Sequence, residues 1–231
     1  MKRIGIVTIY DNNNYGNRLQ NYALQQYLIS MGMDVQTIKN IPYYDYRYGG
    51  NVAKRRLIKR LILNLPIIKN NTRKKEYKFW EEQLLKPTLY EKRYQAFEEF
   101  ERHIQYYPEL IGYYNMHKLD RKFDYFITGS DQVWNPKLMR GTGLDFLTFA
   151  RKNKRIAYAA SISLDNVPTE YHKRFSAYLK GMNVISVREK QAVDIILNDF
   201  GVKCTQVIDP TMLLTYDEWN SLAEQSVVKL P

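Results

Sequence analysis

The distribution of apolar and polar positions divides the chain into short apolar runs alternating with amphipathic stretches. Ile4-Gly-Ile-Val-Thr-Ile9 is close to continuously apolar and predicts a strand buried on both faces within Lys2–Tyr10. A polar loop, Asp11-Asn-Asn-Asn-Tyr-Gly16, follows. Asn17 is placed to cap a helix running to about Met31, where Gly32 stops it. Asp34-Val-Gln-Thr-Ile38 predicts a second strand and completes a βαβ opening with a right-handed crossover. After a long interruption the alternation resumes. Extended apolar stretches fall at Phe123–Thr128, Leu144–Phe149, Lys154–Ser161, Asn183–Val187 and Lys203–Ile208. Helices are expected at Thr169–Lys180, after Glu189 to about Asp199, and from Glu218 to about Gln225 behind a cap at Asp217. Six or seven strands, mostly separated by helices, predict an α/β fold with a doubly wound, mostly parallel, Rossmann-like sheet.

The interruption, at about 43–118, has a different texture. Pro42–Gly50 is aromatic and irregular. Val52–Leu65 reads as an amphipathic helix, with Leu57, Ile58, Leu61, Ile62 and Leu65 in one stripe and Arg55, Arg56, Lys59 and Arg60 beside it. Asn70–Leu85 and Arg93–Ile104 read as further helices broken by Pro87, with Trp80, Phe97 and Phe100 as anchors. The stretch is expected to be a helical insertion within a single domain spanning 1–231.

Composition narrows this picture. With 231 residues and 45% hydrophobic content, the chain can bury a real core and is not globally disordered. No apolar run is long enough to span a bilayer, and the N-terminus lacks the features of a signal peptide, so a cytoplasmic protein is expected. Cys204 is the sole cysteine, which excludes an intrachain disulfide and a cysteine zinc site. The net charge is +11, and residues 51–80 hold ten Lys/Arg against one acid, Glu76, so nearly all of the excess is local. The helix at 52–65 therefore has two readings. It either packs on the fold with a solvated basic rim or lies peripherally on an anionic membrane surface at the inner face. No helix-turn-helix, zinc or RNA-binding signature accompanies the charge, so nucleic acid is not an expected partner.

Chemistry is expected at the carboxyl ends of the strands, where ligands of open α/β sheets bind. Five such ends are polar: Asp11–Asn17, Gly129–Asn135, Ser161–Ser163, Val187–Glu189 and Asp209–Thr211. Asn12, Asn14, Gly16 and Asn17 either present amides to an anion at a helix N-terminus or form an ordinary βα turn. Arg188 can grip a carboxylate or phosphate bidentately, or it pairs with Glu189 or a neighbouring helix end. Asp131 is a general base, a hydroxyl-orienting acceptor or a loop cap. Gly129, Ser130, Gln132 and Ser161 line the same edge, while Asp209, before Pro210, reads as structural. His103, His117 and His172 lie away from the strand ends and have no partner at metal spacing. No metal or cofactor is expected.

Several of these segments, taken in order, resemble the polysaccharide pyruvyl transferase family: Gly16-Asn-Arg-Leu-Gln-Asn-Tyr-Ala-Leu-Gln25, Ile127-Thr-Gly-Ser-Asp-Gln-Val-Trp-Asn-Pro136, Ser186-Val-Arg-Glu189 and Asp209-Pro-Thr211. The Gly-Ser-Asp-Gln-Val-Trp-Asn block is the specific one. The resemblance implies one half of a GT-B-like pair of Rossmann-like domains. It also implies transfer of a pyruvyl group from phosphoenolpyruvate onto a sugar hydroxyl of a surface polysaccharide or its lipid-linked precursor. Arg188 is similar to the family's anion-binding arginine, and the Asn12–Asn17 loop to its flexible first loop near the donor. Ser130 and Asp131 then look like site-shaping residues. Family members are usually longer and take a donor-site histidine from a second domain, a position that His103, His117 and His172 do not match. The chain is accordingly expected to be an N-terminal half whose C-terminal partner is absent. The other readings are a GT-B glycosyltransferase using a nucleotide sugar and a non-catalytic glycan-binding or assembly half-domain.

Overall fold

The computed structural model describes residues 1–10, 14–40, 87–112 and 115–225, and only the backbone of residues 87–92 and 94. Asn12 and the helices expected at 52–65 and 70–85 lie outside the described residues. The strands are β1 (Arg3–Val7), β2 (Asp34–Asn40), β3 (Tyr106–Ile111), β4 (Tyr125–Thr128), β5 (Arg155–Ala160), β6 (Val184–Val187) and β7 (Thr205–Gln206). The helices are α1 (Tyr15–Ser30), α2 (Pro87–Glu101), α3 (Thr169–Lys180), α4 (Lys190–Phe200) and α5 (Tyr216–Glu224).

The strands form one seven-stranded sheet in the order β3-β2-β1-β4-β5-β6-β7, and every neighbouring pair is parallel. The order reverses between β1 and β4, which makes the carboxyl ends of those strands a topological switch point with a crevice beyond it. Side chains alternate across the sheet. Ile4, Ile6, Val35 and Ile127 face α1, where Leu24 and Leu28 complete one apolar cluster. Val7, Ile38 and Phe126 face the other way and join Phe175, Leu179, Ile195 and Ile196 of α3 and α4. Both faces of the central strands are therefore covered, which accounts for their unbroken apolar runs. α5 lies over α1, with Trp219 and Tyr22 rings 5.9 Å apart.

Four local expectations change. Asn14, not Asn17, caps α1: its side chain accepts from the Asn17 amide at 3.1 Å. Thr215, not Asp217, caps α5, through a capping box closed by Glu218. Leu144–Phe149 is a series of buried turns and not a strand, because the Asp145 carboxylate accepts the Thr142 amide and hydroxyl at 2.9 and 2.8 Å and coils the backbone locally. Tyr106–Ile111, within the interrupted stretch, is a strand of the sheet. Pro108 disguises it, and the sheet order places it at the edge, where a missing amide is tolerated. Gln25 of α1 sets its entry by donating to the Gln105 carbonyl at 2.9 Å and accepting from the Gln105 amide at 2.7 Å.

Candidate functional site

The site is assembled around Gly129–Asn135, the loop that leaves β4 at the switch point. Gly129 sits at φ +116°, and a Cβ there would lie 2.1 Å from the Tyr158 carbonyl, so glycine is required both by conformation and by the close approach of β5. Ser130 is fully buried and saturated. Its amide donates to Gln20 at 2.9 Å, its carbonyl accepts from the Thr8 hydroxyl at 3.3 Å, and its single hydroxyl proton is shared between the Ala159 carbonyl at 3.1 Å and Asp209 Oδ2 at 3.2 Å. Gln20 also donates to the Thr8 hydroxyl at 3.0 Å. The ends of β1 and β4 and the first turns of α1 are thus pinned at one residue.

Asp131 follows in a left-handed conformation, φ 65°. Its carboxylate accepts from the Gln132 amide at 2.8 Å and from Asn17 Nδ2 at 3.1 Å. Asn17, freed from capping, therefore reaches across from α1 to the β4 loop. Gln132 accepts from Asn135 Nδ2 at 2.8 Å. Ser161 lies beneath, its amide donating to the Asp131 carbonyl at 3.0 Å and its hydroxyl 2.6 Å from that of Ser163. Asn14 and Gly16 are exposed at the start of α1.

The loop is anchored below by aromatic and ionic contacts. Trp134 is fully buried and stacks on Phe146, with centroids 4.6 Å apart and planes 8° from parallel. Its indole donates to the Asp145 carbonyl at 3.2 Å, and the Thr128 hydroxyl donates to the same carbonyl at 2.7 Å. The Asp145 carboxylate meets Arg140 at 3.0 Å, and Arg140 also reaches Asn40 at the end of β2 at 2.9 Å.

Arg188 emerges from β6 partly exposed. Its Nε donates to Glu189 at 2.9 Å and its Nη1 to Asp209 Oδ2 at 2.9 Å. The pairing with Glu189 weighed from the sequence is present, and Asp209 joins it. Nη2 makes no hydrogen bond among the described residues, and α4, which starts two residues on, has no side-chain cap. Asp209 accepts on its other oxygen from the Thr211 amide at 3.0 Å and hydroxyl at 2.8 Å. Burial opposes its ionisation, but the Thr211 donors and the Arg188 guanidinium outweigh it and hold the carboxyl below the usual range.

One hydrogen-bonded path therefore links the strand ends. Asn17 meets Asp131, the preceding residue Ser130 meets Asp209, and Asp209 meets Arg188. Sequence reasoning did not single out Thr8, Gln20 or Asn40, and it read Asp209 as structural. Thr8 and Asn40 carry no motif signal, Gln20 stood within the Gly16–Gln25 segment without being singled out, and Asp209 stood at a polar strand end beside the others. The histidines lie elsewhere: His172 is bonded to the Val167 carbonyl at 2.7 Å, and His103 packs beside Tyr22 and Phe100. Burial pushes the Cys204 thiol up, away from a reactive thiolate. A family model described as polysaccharide pyruvyl transferase matches residues 14–230. No match was found among curated proteins or among solved structures.

Proposed function

The chain belongs to the polysaccharide pyruvyl transferase family, and on that premise we propose that it moves a pyruvyl group from phosphoenolpyruvate onto a glycan or lipid-linked sugar acceptor. The observation that carries the donor reading is Arg188: a guanidinium held on two sides by acids, with its Nη2 amine without a hydrogen bond among the described residues and α4 starting uncapped two residues on. A planar cation next to free helix amides suits a phosphate or carboxylate. Asp131, held by Asn17 and the Gln132 amide, is the acceptor that orients an incoming sugar hydroxyl.

In the proposed reaction a proton adds to C3 of the enol, and C2 bonds in turn to two sugar oxygens. The C2–O bond to phosphate breaks. Of the two protons lost by the hydroxyls, one leaves on phosphate and the other replaces the proton taken up at C3. The contribution of this chain is to hold the anionic donor and to orient the hydroxyl, both by groups fixed before substrate arrives.

Arg188→Ala should reduce phosphoenolpyruvate-dependent ketal formation by about a hundredfold or more. Unchanged turnover would remove Arg188 from the donor site. Titration calorimetry with phosphoenolpyruvate and with nucleotide sugars separates this reading from a glycosyltransferase: heat with the nucleotide sugar alone would overturn it.

A further inference from the structure

We propose that Asp209 is a positioning residue for Arg188, aiming its guanidinium into the crevice and tying it to the Gly129–Asn135 loop. Asp209 lies on the segment after β7, 21 residues from Arg188 and 79 from Ser130, yet one oxygen, Oδ2, receives both, at 2.9 and 3.2 Å. That oxygen is aimed because the other is held: Oδ1 accepts both donors of Thr211. Thr211 belongs to a one-turn helix, Pro210–Met212, whose first turn Asp209 itself caps. Trp219 of α5 donates to the Thr211 carbonyl at 3.1 Å and docks this turn onto the body of the protein. The carboxylate is therefore built into a rigid mount rather than carried on a free loop.

The geometry explains why Arg188 needs such a mount. Its side chain retains 29% exposure, and an arginine that exposed has many rotamers available. Glu189 restrains Nε but is itself 34% exposed and adjacent in sequence, so it moves with Arg188. Asp209 is the restraint from another element. With Nε and Nη1 engaged, Nη2 is the amine left without a hydrogen bond among the described residues, and an anion that binds it meets a group already ordered. The shared oxygen adds a second consequence. A shift of Ser130 displaces the acceptor of Arg188, so the loop carrying Asp131 and the arginine move as one unit.

The ligand part of this inference rests on the donor reading above; the restraint on Arg188 does not. Two measurements on the full chain separate them. The first is the Arg188 Nη1–H resonance in a nitrogen-edited NMR spectrum, assigned by its absence in Arg188→Lys. It should be slowly exchanging in the parent protein and broadened or lost in Asp209→Asn. The second is calorimetric affinity for phosphoenolpyruvate, which Asp209→Asn should weaken by about tenfold. In an Arg188→Gln background the same change should cost almost nothing, because Asp209 acts through the arginine. A purely structural Asp209 would lower the melting temperature, leave the Arg188 signal intact and give additive losses; that result would overturn the proposal. Should Asp209→Asn not fold, Asp209→Glu keeps the charge but moves the carboxylate by one methylene, and an unaltered Arg188 resonance there would overturn it equally. A parent protein that binds no phosphoenolpyruvate, with the Arg188 signal still dependent on Asp209, would sink the donor reading and leave the positioning role standing.

Discussion

Asp209 shows how far a single residue's role depends on what surrounds it. In the sequence it is an acid before a proline; in the fold it receives four hydrogen bonds from three different segments. Its folded pKa lies below the ordinary value of about 3.9, so the folded chain gives up that proton more readily than the unfolded one. Its stabilising contribution is fully present above about pH 4 and is lost as acid takes the carboxyl through its lowered pKa. Urea unfolding at pH 6 and pH 3 should show the parent protein's advantage over Asp209→Asn shrinking at the lower pH. A constant difference would place the effect in packing. Arg188 was legible as a candidate from its position after an apolar strand, but its second counter-ion was not, because nothing local relates residue 188 to residue 209.

The elements divide according to how local their causes are. α3 runs over Thr169–Lys180, the span expected from the pattern, since a proline start, an amphipathic stripe and a glycine stop are all contained in its own residues. β3 was not expected: Pro108 argues against a strand until the edge position and the Gln25 clamp are known. The Leu144–Phe149 stretch was misread for a related reason. Leu144, Phe146 and Leu147 are buried, but Asp145, itself fully buried, bends the backbone around its own carboxylate and pairs with Arg140. Removing one partner of such a pair leaves a charge stranded in the interior. Asp145→Ala should therefore cost about 3–5 kcal/mol, read as a fall in the urea midpoint. A loss within about 0.5 kcal/mol would mean that Arg140 finds other partners and that the network is dispensable.

Across the whole molecule, charge and fold separate. The sheet and its crevice are held by buried apolar faces and a few neutral or paired polar groups, whereas residues 51–80, with ten Lys/Arg and one acid, carry most of the +11 net charge. Among the described residues no helix is long and apolar enough to cross a membrane. We propose that this basic stretch meets an anionic lipid surface. The full chain should co-sediment with vesicles containing anionic lipid, more weakly as salt rises, and charge reversal at Lys54, Arg55 and Arg56 should abolish it. Retention by the reversed variant would assign binding to another surface. The sequence by itself determined the parallel α/β architecture and the polar strand ends, because hydrophobic periodicity and strand-end polarity are written in contiguous residues. It also determined the family, through the Gly129–Asn135 block. Only the tertiary structure decided which of those polar ends touch. Asn17 turned from a cap into a partner of Asp131, and Ser130, Asp209 and Arg188 became one unit. These contacts join residues tens to more than a hundred positions apart, and their distances exist only once the sheet has brought the strand ends together.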